Sequence, residues 1–195
     1  MNPAEWLNRT ATRYPSAPAL FRGTVCEADY ATFAARAAGL GAALAARGIG
    51  AGDRVALFMA NRTEYLEALY GIWWAGAVAV PINGKLHPRE AAWIVEDAEA
   101  ALVFTDNKSA EALTGLTPVP TISTEGDAFR GMRETAPSGA PTSLAQSDMA
   151  WLFYTSGTTG QPKGVMISCG NIAAMTMSYF ADVDEVQAED AILYA

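Results

Sequence analysis

Residues 151–164 read Trp-Leu-Phe-Tyr-Thr-Ser-Gly-Thr-Thr-Gly-Gln-Pro-Lys-Gly. Thr155, Ser156, Thr158 and Thr159 each carry a hydroxyl that can donate to a phosphate oxygen or offer a lone pair to a bound Mg2+. Gly157, Gly160 and Gly164 permit backbone conformations closed to other residues and let a ligand approach the main-chain N–H groups. Lys163 adds a point charge on a long stem. Such an interleaving of hydroxyls, glycines and one cation suits the holding of a cluster of phosphate oxygens better than it suits a plain solvent-exposed turn. It is not a G-x-x-x-x-G-K-[ST] loop, because Pro162 stands where that pattern needs glycine and Gly164 where it needs Ser or Thr.

The loop must be carried by extended segments. Residues 150–154 are apolar or aromatic, and Val165, Met166 and Ile167 resume that character, so the connection reads as a hairpin and not as a strand-to-helix turn. Ser168 is placed to cap a helix running through Ile172, Met175 and Tyr179. Upstream, apolar runs at 54–59, 77–82, 101–105 and 119–122 alternate with helical patterns at 62–75, 88–99 and 109–116. Continuous apolar strands joined by helical crossovers predict an α/β fold, a mainly parallel sheet with helices on both faces. Before it, residues 3–14 read as an amphipathic helix, 19–27 as a small hairpin, and 30–47 as an Ala-rich helix ended by Gly48. Residues 123–148 read as a surface excursion with Phe129 and Met132 as its large apolar anchors. Residues 192–195 read as the opening of another buried strand, and the missing polar ending reads as a truncated or cut polypeptide.

Composition narrows the classes. With 195 residues and 51% hydrophobic content the chain can build one good-sized core. A formal net charge of −8 opposes nonspecific attraction to nucleic acid or to an anionic membrane, so a polyanionic ligand must be handled locally. Cys26 and Cys169 read as structural thiols of a reducing, cytoplasmic compartment rather than a disulfide framework or zinc cluster. The N-terminus has neither a basic nor an apolar region of a secretory signal, and the longest apolar stretch, 70–82, is too short for a membrane span. His87 is the only histidine, so no metal site or triad can draw on a partner histidine, and its place before Pro88 reads as a helix cap. Trp73 and Trp74 read as buried. Cys169 sits near a helix N-terminus where a thiol pKa tends to fall, yet a small buried residue is the favoured reading. Glu64, Glu67, Glu96 and Asp97 fall at spacings typical of solvated helix faces and form no acid–base pair.

The run Tyr154-Thr-Ser-Gly-Thr-Thr-Gly-Gln-Pro-Lys-Gly-Val-Met resembles the phosphate-binding signature of the AMP-forming adenylating enzymes, the superfamily of acyl- and aryl-CoA synthetases, peptide-synthetase adenylation domains and firefly luciferase. The likeness extends through Gly52-Asp53-Arg54-Val55-Ala56, Gly76-Ala77-Val78-Ala79-Val80-Pro81-Ile82-Asn83 and Pro88-Arg89-Glu90. It departs at Cys169, where the family often carries histidine shortly after the outgoing strand.

The resemblance implies the first portion of the adenylating-enzyme N-terminal domain, with residues 1–195 incomplete and a C-terminal lid domain absent. It implies a two-step reaction: a small carboxylic acid attacks the α-phosphate of MgATP, and a thiol, usually coenzyme A, then displaces AMP. Thr155, Ser156, Gly157, Thr158, Thr159, Gly160 and Lys163 would hold the triphosphate, Thr159 reaching Mg2+ through ATP, in a loop expected to be mobile when empty. No catalytic residue is assigned within the chain. Three alternatives stay open: an adenylation domain serving a carrier-protein thiol, a noncatalytic nucleotide-binding or interaction module, and a plain α/β structural domain.

Overall fold

The alternation of apolar runs and helical crossovers folds as a doubly covered sheet in a computed structural model that describes residues 1–137, 139–155, 162–188 and 190–193. Helix α1 (Ala4–Arg13) precedes an antiparallel hairpin of β1 (Pro18–Arg22) and β2 (Val25–Asp29), which leads into the long helix α2 (Tyr30–Ala45). There follow β3 (Arg54–Met59), α3 (Thr63–Trp74), β4 (Val78–Asn83), α4 (Pro88–Asp97), β5 (Ala100–Thr105), α5 (Asn107–Leu113) and β6 (Thr121–Ser123). Helix α6 (Asp127–Arg133), strands β7 (Met149–Thr155) and β8 (Lys163–Ser168), helix α7 (Cys169–Ser178) and a π-helical turn at Tyr179–Val183 complete the described elements.

The sheet runs in the order β6-β5-β3-β4-β7-β8; every neighbouring pair is parallel except β7 with β8. Side-chain alternation on β3 explains why it needs cover on both faces. Val55, Leu57 and Met59 pack with α2 and α3, whereas Ala56 and Phe58 pack with Ile94 and Val95 of α4 and Leu113 of α5. Helices α2 and α3 meet closely because Gly71 carries no side chain: a Cβ there would lie 2.6 Å from the Leu40 Cβ. The predicted caps are in place. His87 Nδ1 accepts the Arg89 amide, the Glu90 carboxylate accepts the His87 amide, and Ser168 forms the equivalent box with Asn171.

Four sequence expectations are corrected. The excursion at 123–148 contains helix α6, whose Phe129 and Met132 are buried against the α2–α3 side of the core. Glu67 does not face solvent: it is 1% exposed, its Oε1 accepting from Arg36 at 2.8 Å and its Oε2 from Arg133 at 2.9 Å. Helical spacing alone did not reveal that two arginines from α2 and α6 converge on that face. Cys26 is exposed on β2 and so is not a core thiol. Ile192 and Leu193 lie in no strand and are exposed, while residues 194–195 fall outside the described residues.

A second polar cluster ties the β1–β2 hairpin to α3. The Arg22 guanidinium donates to Glu27 at 2.6 Å, and Thr63 Oγ1 donates to the other Glu27 oxygen at 2.6 Å. These donors, Arg22 first, hold the Glu27 carboxyl below the usual carboxylate range. A depressed pKa gives stability that is present above the unfolded value, about 4.3, and is lost as pH falls through the folded one. Glu27→Gln is therefore expected to shallow the acid limb of a stability-versus-pH curve below about pH 4.3; an unchanged acid limb counts against the pairing.

Candidate phosphate-binding site

The start of β7 is fixed by α3. Trp73 Nε1 donates to the buried Ala150 carbonyl at 2.8 Å, and Asn2 Nδ2 bridges the Trp73 and Thr142 carbonyls, so the segment entering β7 is held against the end of that helix. Strand β7 pairs in parallel with β4 at Ala79↔Trp151, and antiparallel with β8 through Leu152↔Met166, Phe153↔Val165, Tyr154↔Gly164 and Thr155↔Lys163. The hairpin read from the sequence is thus present, and Lys163 is the first residue of its outgoing strand.

Thr155 and Lys163 face each other in register at the mouth of the loop, and both are exposed. Among the described residues, no salt bridge engages the Lys163 ammonium. A hydroxyl and an ammonium thus stand opposite each other at one end of the hairpin, two groups able to donate to an anion. Ser156, Gly157, Thr158, Thr159 and Gly160, with the Mg2+ role given to Thr159 and the expected mobility of the empty loop, lie outside the described residues. Gly164 also serves the close approach of side chains: a Cβ there would lie 3.1 Å from Leu152 Cδ1 and 3.3 Å from Tyr154 Cζ.

One pairing near the end of β7 joins residues far apart in the chain. The Tyr154 hydroxyl donates to Asp97 Oδ2 at 2.6 Å, and the Trp93 ring stands edge-on to the Tyr154 ring at 6.2 Å. Burial first, and then the Asp97 carboxylate, push the Tyr154 phenol well above its ordinary range, so it is a proton donor at any physiological pH. Fifty-seven positions separate the two residues, and Asp97 looks from its spacing like any helix-surface carboxylate.

Cys169 occupies the first position of α7 but is 1% exposed, and burial pushes its thiol up. The helix terminus does not make it a nucleophile, in accord with the small-buried-residue reading. Among the described residues no cluster of three or more His, Cys, Asp or Glu side chains could hold a metal ion, and no helix is long and apolar enough to cross a membrane.

A family model described as "AMP-binding enzyme" matches residues 7–195. The chain is 32% identical over 190 residues to a feruloyl-CoA synthase from Amycolatopsis sp, covering 97% of this chain and 38% of that protein. It is 37% identical over 162 residues to an L-proline–[L-prolyl-carrier protein] ligase from Streptomyces coelicolor, covering 74% of this chain and 30% of that one. Its fold is similar to the inhibitor-bound N-terminal domain of FACL13 from Mycobacterium tuberculosis, with a TM-score of 0.82 and 31% identity over 94% of this chain and 48% of that one. The chain spans well under half the length of the curated relatives it matches.

Proposed function

The chain belongs to the family of AMP-binding enzymes, and from that premise we propose that it supplies the phosphate-gripping part of a ligase that activates a carboxylic acid with MgATP. In the proposed reaction a carboxylate oxygen attacks the α-phosphorus, the bond to the bridging oxygen breaks, and pyrophosphate leaves. A thiol then attacks the acyl carbon of the acyl-adenylate, forming a thioester and releasing AMP. Bound Mg2+ would neutralise part of the triphosphate charge, with Thr159 the residue proposed to reach it.

The observation that carries this reading is the unbroken sequence run from Tyr154 to Met166, whose described flanks Thr155 and Lys163 are exposed and opposite each other in the β7–β8 ladder. Lys163 would place its ammonium against the oxygens of the departing pyrophosphate, where negative charge builds as the bond breaks. Coenzyme A is the proposed thiol, in keeping with the name of the feruloyl-CoA synthase relative. A carrier-protein thiol is the second reading, favoured by the similarity to the prolyl-carrier protein ligase.

We further propose that these residues form the first part of a larger N-terminal domain, to be completed by more polypeptide and a lid. The support is the 38% coverage of the feruloyl-CoA synthase, together with apolar side chains bared on β8 and α7, among them Met166 at 74% and Met177 at 68% exposure.

In protein expressed from its complete reading frame, Lys163→Ala is expected to weaken MgATP binding and pyrophosphate release tenfold to about a hundredfold, the range of a charge-assisted hydrogen bond of ~1.5–3 kcal/mol. Because Lys163 is exposed, the melting temperature should stay within a few degrees of wild type. A collapse in melting temperature with an unchanged rate of pyrophosphate release defeats the assignment.

A further inference from the structure

Past Trp151, strand β7 has no register partner in β4 among the described residues and pairs only with β8. With main-chain register on the β8 side alone, the end that carries Thr155 gains from a side-chain anchor if its hydroxyl is to occupy one place. Helix α4 offers that anchor. It is clamped to the sheet through buried Ala91, Ile94 and Val95, and it presents Trp93 and Asp97, one helical turn apart, to the Tyr154 side chain. The phenol is thus held at its tip by Asp97 at 2.6 Å and along its ring by Trp93, while Gly164 across the ladder leaves the ring room to lie there.

We propose that Asp97 and Tyr154 are positioning residues, a latch from α4 that fixes the last turnless residues of β7 and with them the first phosphate donor, Thr155. The inference rests on the phosphate-gripping reading above. It gives a task to two side chains that contribute no atom to the proposed chemistry. A hydrogen bond to a carboxylate is stronger than a neutral one, and the hydroxyl is the only part of Tyr154 that phenylalanine lacks. The Tyr154→Phe variant therefore tests the bond while retaining the ring.

The test measures MgATP dissociation constants and melting temperatures for protein expressed from its complete reading frame. Tyr154→Phe and Asp97→Ala are each expected to weaken MgATP binding about fivefold to tenfold. The double variant should be no weaker than either single one, because both remove the same bond. Asp97→Asn, which keeps a neutral carbonyl acceptor for the phenol, should fall between wild type and Asp97→Ala. A purely structural contact would lower the melting temperature and leave the dissociation constant alone, and that result overturns the latch. Additive losses in the double variant overturn it as well. Lys163→Ala, run alongside, separates the two claims. Binding that Lys163→Ala weakens and Tyr154→Phe does not sinks the latch alone. Absent MgATP binding, or binding indifferent to Lys163→Ala, sinks the phosphate reading and the latch together.

Discussion

Residues 1–195 on their own are expected to form no acyl-adenylate from MgATP and any acid of a broad fatty and aromatic panel. On the proposed reading the hairpin signature grips phosphates, but in-line attack at the α-phosphorus also needs the carboxylate held on the opposite side. On the proposed domain reading, the groups that do so belong to polypeptide outside this chain, which spans 38% of its feruloyl-CoA synthase relative. Held geometry alone can contribute ~7–11 kcal/mol to such a reaction, so its loss removes many orders of magnitude in rate. Hydroxylamine trapping with pyrophosphate measurement checks this. Acid-dependent pyrophosphate release by the isolated chain, abolished by Lys163→Ala, would show a complete enzyme and overturn the domain proposal.

The largest stability effect is expected where charge is buried. Glu67 is 1% exposed, whereas the side chains of its partners Arg36 and Arg133 keep 29% and 23% exposure. Replacing both arginines with methionine strands a carboxylate that has no access to water, which should cost about 3–5 kcal/mol. At this chain length that lowers the melting temperature by roughly 10 °C. Glu67→Met should cost clearly less, because the freed guanidiniums can turn to solvent, and the triple methionine variant should recover much of the loss of the double. Because Arg133 ends α6, the double variant should also loosen that helix from α2. Equal costs for Glu67→Met and the double arginine variant would contradict the asymmetry.

What the sequence could convey here was periodic or contiguous. The apolar run at 54–59 needed burial on both faces, and it lies at the centre of the sheet between β4 and β5. The hydroxyl-glycine loop announced its own flanks, and Thr155 and Lys163 do face each other across the hairpin mouth. What stayed hidden was built from distant partners. Glu67 meets arginines 31 and 66 positions away, and Tyr154 meets a carboxylate 57 positions earlier. Helical spacing reports which side chains share a face, but not what that face meets. Helix α6 escaped because seven residues among Gly, Pro and Ser carry too few periods to register, although Phe129 and Met132, three apart, mark its buried side.

Lys163 and its hairpin are proposed to grip the phosphates of ATP during carboxylate activation. Carboxylate-dependent exchange of labelled pyrophosphate into ATP, measured on protein expressed from its complete reading frame, tests it most directly. Exchange is expected with at least one acid of the panel, reduced tenfold or more by Lys163→Ala at unchanged melting temperature. MgATP binding without exchange for any acid, or exchange that Lys163→Ala leaves intact, contradicts it.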